Sequence, residues 1–202
     1  MGKEAMKPDR LNALTDGVVA IVLTIMVLEI KIPAEPTLAA AREVLPLLAA
    51  YLLAFVNVAI YWNNHHHMMQ SARVVTGGVL WANHALLFWL TLFPLMIRWI
   101  DEAGITPWPV AAFGVVLVGA AVSYQLLERA LIRAEGDGSS VKRAVGGGAK
   151  EILSFALYLT AVPAAFVSPL ISIAIFVAVS IAWVIPDRRF VRGLQASDTH
   201  PT

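Results

Sequence analysis

Residues 10–33 read RLNALTDGVVAIVLTIMVLEIKIP, and few folds can accommodate them. Arg10, Thr15 and Asp16 open the stretch. It then runs apolar from Gly17 to Leu28 with only Thr24 interrupting, and it closes on Glu29, Lys31 and Pro33. At about 1.5 Å of rise per residue, a helix of this length crosses a hydrocarbon core. Its length and flanking acids point to a retained helix rather than a cleaved signal peptide. Asp16 is the anomaly, because a carboxylate at the mouth of a membrane helix is costly unless something pairs it.

A helical wheel divides the segment into two faces. With Ile21 as origin, Gly17, Thr24, Ile25 and Leu28 fall within about 60° of it, and Leu14 lies on the same side. Asp16 points almost the opposite way. One face is an aliphatic stripe with one hydroxyl, and the other carries an acid that needs a partner on a neighbouring helix. Ordinary helix packing with Asp16 as an N-terminal capping acid is the plainer alternative.

Composition supports an all-α integral membrane protein. Hydrophobic residues make up 58% of the 202 and charged residues only 14%, against about a quarter charged in soluble domains. Hydrophobicity predicts six spans, at about 10–32, 44–63, 78–100, 108–132, 151–167 and 169–185. Pro94 predicts a kink in the third. Ser168-Pro169 predicts a tight turn between the last two. Residues 135–149 read as a glycine-rich flexible loop. The chain divides into one six-helix transmembrane domain, 1–192, and a flexible tail, 193–202.

Basic residues orient the spans. With the N-terminus in the cytoplasm, the inner segments hold Lys3, Lys7, Arg10, Arg73, Arg129, Arg133, Lys142, Arg143, Lys150, Arg188, Arg189 and Arg192. The outer ones hold only Lys31, Arg42 and Arg98. Both termini are then cytoplasmic. The same topology gathers Arg10, Thr15 and Asp16 with Asn63 to His67 and with Asn83 and His84 near the inner surface. A buried, mutually bonded polar layer is expected there, drawn from Arg10, Thr15, Asp16, His66, Asn83 and His84.

Other chemistries find little support. Consecutive histidines on a helix point about 100° apart, so His65, His66 and His67 cannot all converge on one metal ion. No cysteine is present to complete a metal set or act as a nucleophile. No nucleophile elbow, H-E-x-x-H, phosphate loop or dinucleotide fingerprint occurs, so an enzyme is not expected. A net charge of +1 gives no nucleic-acid footprint. Asp101 and Glu102 read as solvated acids on the outer side. No cofactor is expected.

The pattern Arg10-x-x-x-Leu14-Thr15-Asp16, followed by Gly-Val-Val-Ala-Ile and ending Leu28-Glu29-Ile30-Lys31-Ile32-Pro33, resembles the signature of the transmembrane-protein-175 family of potassium channels. That family has Phe and Ser where this chain has Leu14 and Thr15. Further similarity lies in Tyr61-Trp62 before the histidines, in Asn83-His84 and in the later proline of the third span. The resemblance implies a homotetramer in which four copies of the first helix line a central pore. It implies a hydrophobic constriction at Ile21, a threonine linked to potassium preference at Thr24, and further aliphatic layers at Ile25 and Leu28. Arg10 and Asp16 become buried braces behind the pore helix. The expected protein is a potassium-selective leak-type channel of the prokaryotic inner membrane, with membrane lipid and further copies of itself as partners and potassium as the permeant ion. A proton-coupled secondary transporter using Asp16 and the inner histidines stays open, as does a membrane scaffold.

Overall fold

A computed structural model describes residues 8–145 and 148–184. Lys3, Lys7, Arg188, Arg189, Arg192 and the expected tail 193–202 lie outside the described residues. Regular structure among the described residues is helical: α1 (Pro8–Leu28), α2 (Leu38–Glu43), α3 (Leu45–Ser71), α4 (Gly77–Thr91), α5 (Phe93–Ala103), α6 (Pro107–Glu135), α7 (Ser140–Val145), α8 (Ala149–Ala164) and α9 (Pro169–Val184).

Prolines and caps set the boundaries. α1 begins on Pro8, whose missing N–H would be unsatisfied there anyway, and places Asp9 against the positive helix end. It stops at Leu28, before the expected end at 32, in a turn where the Ile30 N–H donates to the Val27 carbonyl at 3.3 Å. Pro46 separates α2 from α3 at Val44. Pro94 separates α4 from α5 at Leu92, which keeps αR geometry, so the third span is kinked rather than broken. The Thr76 hydroxyl accepts from the Val79 N–H to cap α4. α3 runs on to Ser71, past the expected exit at 63, since no glycine or proline interrupts it before Ala72 turns extended.

Four stretches are long and apolar enough to cross a membrane: Pro8–Leu28, Leu38–Ser71, Gly77–Ala103 and Pro107–Glu135. α8 and α9 have 16 residues each, which reach about 24 Å and fall short of a 30 Å core. The turn between them falls at Ser168-Pro169, as the sequence predicts.

α6 is the central post. It packs on α4 and α5 on one side and on the α8–α9 pair on the other. Phe113 stands edge-on to Phe93 at 5.5 Å and meets Phe176 of α9 at 5.6 Å. α1 lies on the flank against α3, α4 and α5. Gly119 lets α6 approach α4 closely, for a methyl there would overlap the Trp89 indole. Gly119→Ala is therefore expected to cost about 1–3 kcal/mol by overpacking. The check is a lowered apparent melting temperature that Gly119→Ala/Trp89→Leu recovers.

The expected flexible loop at 135–149 is partly organised. Glu135 ends α6 and accepts from the Arg73 N–H at 2.8 Å, the Ser139 hydroxyl at 2.9 Å and the Ser140 N–H at 2.9 Å. The carboxylate gathers donors that a bare glycine-rich segment would leave to water, and α7 follows it. Asp101 and Glu102 also have partners rather than water alone. Asp101 holds Lys31 at 2.7 Å, tying the chain beyond α1 to the end of α5, and Glu102 pairs with Arg98. The Asp101 contact raises the Lys31 pKa above its ordinary value.

Candidate functional site

α1 has a covered face and a bare one. Leu11, Thr15, Val19, Val22 and Met26 recur at helical spacing and are buried against the bundle. On the other side Leu14, Gly17, Ile21, Thr24, Ile25 and Leu28 are exposed. Adjacent residues show how sharp the division is: Ile21 is 57% exposed and Val22 is 2% exposed. The stripe isolated by periodicity is thus the face that this chain leaves uncovered.

Thr24 sits on that face with its hydroxyl turned onto its own helix. It lies 2.9 Å from the carbonyls of both Ala20 and Ile21. Its proton is committed to these acceptors, so the oxygen lone pairs remain free to accept from, or ligate, whatever passes the face.

Behind the stripe lies a polar chain linking three helices. The Asn83 amide donates to Thr15 Oγ1 at 3.1 Å, and Asn83 Oδ1 lies 2.9 Å from His65 Nε2. Thr15, His65 and Asn83 are 1%, 2% and 0% exposed. The three groups satisfy one another where water cannot reach them.

The remaining expected members of this layer stand elsewhere. His66 is half-buried, stacks on Trp62 at 5.5 Å and bonds Gln70 at 2.8 Å. It points about 100° away from His65, so the histidine facing the core is His65 and not His66. His84 is exposed and turns its Nδ1 to the Leu80 carbonyl of its own helix at 2.7 Å. Arg10 is exposed and makes no ion pair with Asp16 among the described residues. Asp16 is also exposed within the chain, and Trp62 Nε1 donates to its Oδ1 at 2.8 Å. Asp16 thus finds its partner on a neighbouring helix, α3, through an indole–carboxylate bond at the surface of the single chain. Arg10 lies on the stripe side of α1, roughly 120° from Asp16.

This lowers the cost expected for losing Asp16. One hydrogen bond to a charged acceptor is worth about 1.5–3 kcal/mol, less than a buried ion pair. Asp16→Asn keeps an acceptor and is expected to melt close to the parent. Asp16→Ala and Trp62→Phe should both lower the apparent melting temperature by similar amounts, and their double variant should add little. Additive losses would show that the two side chains act separately.

Sequence reasoning passed over a second polar chain. Asn57 of α3 donates to Ser180 of α9 at 3.0 Å and accepts from the Tyr158 hydroxyl of α8 at 3.3 Å. A lone asparagine within an apolar span was the available signal. No cluster of three or more metal-ligating side chains occurs among the described residues.

The family described as endosomal/lysosomal potassium channel TMEM175 matches residues 10–94. A potassium channel of Chryseobacterium sp. (strain P1-3) is 42% identical over 190 residues, covering 94% of this chain and 99% of that one. A potassium channel of Streptomyces collinus is 28% identical over 126 residues, covering 58% of this chain and 61% of its own. The fold is similar to the crystal structure of a lysosomal potassium-selective channel TMEM175 homolog from Chamaesiphon minutus. The TM-score is 0.74 at 24% identity, with 88% of this chain and 96% of that chain covered.

Proposed function

Because this chain belongs to the TMEM175 family of potassium channels, and so is a multi-pass membrane protein rather than an enzyme, we propose that it conducts potassium as a homotetramer. Four copies of α1 line the central pore. Each chain crosses the inner membrane six times, with α8 and α9 as the short last pair and both termini cytoplasmic. Selectivity and gating reside in layers formed by Ile21, Thr24, Ile25 and Leu28.

The exposed face of α1 carries this reading. An aliphatic face alone would suit lipid. Asp16 lies about 140° round the helix from Ile21 and is exposed as well, about two turns into the helix, and a carboxylate is not tolerated against acyl chains. The flank that bears it must therefore meet water or protein, which calls for a partner beside α1. Rotational assembly about an axis beside α1 supplies both: further copies cover the flank, and a narrow aqueous path meets the stripe. Basic residues concentrated in the inner segments support the orientation.

The transporter alternative needs titratable groups in hydrogen-bonded series. Asp16 bonds to an indole and His65 to a carboxamide, and neither relays a proton. The test is recording from purified protein in planar bilayers under a potassium gradient, with native mass spectrometry of the same sample. Unitary currents reversing near the potassium equilibrium potential, from a tetramer, are expected. Saturating, proton-coupled flux or a stable monomer would contradict the proposal.

A further inference from the structure

A part-open cavity of about 40 Å³ lies where α3, α6, α8 and α9 meet in each chain. α1 contributes nothing to its walls. Tyr61, Tyr124, Tyr158 and Trp183 surround it with aromatic rings, and Glu151 is the one ionisable carboxylate among its lining residues.

Hydrogen-bond accounting gives the cavity its character. The Asn57 amide spends its donors on the Leu53 carbonyl at 2.8 Å and Ser180 Oγ at 3.0 Å. Tyr158 donates to Asn57 Oδ1 at 3.3 Å, and Tyr61 donates to the Leu117 carbonyl at 3.4 Å. Trp183 Nε1 donates to Ser154 Oγ at 2.9 Å, and that hydroxyl donates to the Lys150 carbonyl at 2.7 Å. These donors are consumed within the protein. Lone pairs of the Tyr61 and Tyr158 hydroxyls, the ring faces and the Glu151 carboxylate are left over.

Tyr124 lines the cavity as well. Its hydroxyl makes no hydrogen bond among the described residues, so its oxygen is free to meet an occupant. The Glu151 carboxylate likewise makes no hydrogen bond or ion pair among the described residues. Asn64 and Gln125 also line the space. Each brings an amide donor, and each brings a carbonyl oxygen too. No lysine, arginine or histidine lines it. Lys150 instead stacks on the Trp183 ring, 4.6 Å from its centroid.

A space of this size holds one to a few waters or one small ion. Ring faces attract cations, most strongly where water is thin, and the uncompensated carboxylate adds charge of the same preference. We infer that this cavity is a binding site for a potassium-sized monovalent cation, off the conduction axis, held by Glu151, by the oxygens of Tyr61, Tyr124 and Tyr158, and by the surrounding rings. An ion there bridges the α8–α9 pair to α3 and α6, so occupancy stabilises the packing of that pair.

The inference is independent of which helix lines the pore, and its test keeps the two apart. Full-length protein in detergent is titrated with potassium, rubidium or ammonium chloride against N-methyl-D-glucamine chloride at constant ionic strength, following the apparent melting temperature. A saturable rise of a few degrees is expected in the parent and in Thr24→Val. It should be lost in Glu151→Gln and weakened in Tyr124→Phe, which serves if Glu151→Gln folds poorly. A response to ammonium alone would identify a nitrogen cation as the occupant, and a response to all three ions would identify a site that reads size and charge. Rubidium-soaked crystals should show an anomalous peak among Tyr61, Tyr124 and Tyr158. A parent without any saturable rise, a rise that persists undiminished in both cavity variants, or rubidium confined to the molecular axis would overturn the inference.

Discussion

Ile21→Asn is expected to raise unitary conductance about 5–30-fold and to reduce discrimination between potassium and sodium. Four aliphatic side chains meeting on an axis form a neck in which an ion sheds water and receives no oxygen ligands in return. Potassium holds its shell less tightly than sodium, so such a neck favours potassium. Four carboxamides supply ligands and let water in. Lowering the barrier by about 1–2 kcal/mol gives the stated change in rate, and it helps sodium more. Thr24→Val removes the free hydroxyl lone pairs one turn away and leaves the neck dry. A smaller change in conductance with a clear loss of discrimination is expected there. The matched comparison is Val22→Asn. Val22 is 2% exposed, so its amide would be buried without a partner, at a cost of about 1–3 kcal/mol. Its signature is a lowered melting temperature with near-parental currents in the channels that assemble. Equal gains in conductance from Ile21→Asn and Val22→Asn would place the neck elsewhere.

Asn83→Leu is expected to be among the most destabilising single changes in the chain, at about 2–4 kcal/mol. Leucine keeps the branched outline and heavy-atom count of asparagine but removes a donor and an acceptor at once. His65 Nε2 and Thr15 Oγ1 both lose their partner at positions closed to water. An unsatisfied buried group costs about 1–3 kcal/mol. Thr15 recovers part of this by turning its hydroxyl to a carbonyl of its own helix, whereas His65 has no such recourse. Thr15→Val should therefore cost less than Asn83→Leu, and His65→Leu should fall between them. The measurement is the apparent melting temperature of the assembled protein in detergent. An Asn83→Leu protein that melts with the parent would show that the three-helix chain does not hold α1 in place.

These two predictions rest on different kinds of legibility. The bare stripe of α1 was readable in the sequence because helical periodicity is local. Once residues 17–28 form a helix, Ile21, Thr24, Ile25 and Leu28 share a face whatever surrounds them. The kink at Pro94 and the turn at Ser168-Pro169 were readable for the same reason, since proline acts on its own residue and the one before it. The need for a buried polar layer was readable too, from Thr15 and Asn83 in apolar surroundings.

The sequence by itself thus determined an all-helical membrane chain, the composition of its stripe, and its breaks at Pro94 and Ser168-Pro169. Tertiary structure alone decided which polar groups meet. Three histidines in a row are equivalent as donors and acceptors, and the roll of α3 about its axis turned His65, rather than His66, toward Asn83. The same kind of choice gave Asp16 the indole of Trp62 on α3, and gathered Tyr61, Tyr124, Tyr158 and Trp183 from four helices around one cavity. A side chain's chemistry states that it needs a partner. The identity of that partner depends on the relative rotation and offset of packed helices, which no local stretch of sequence encodes.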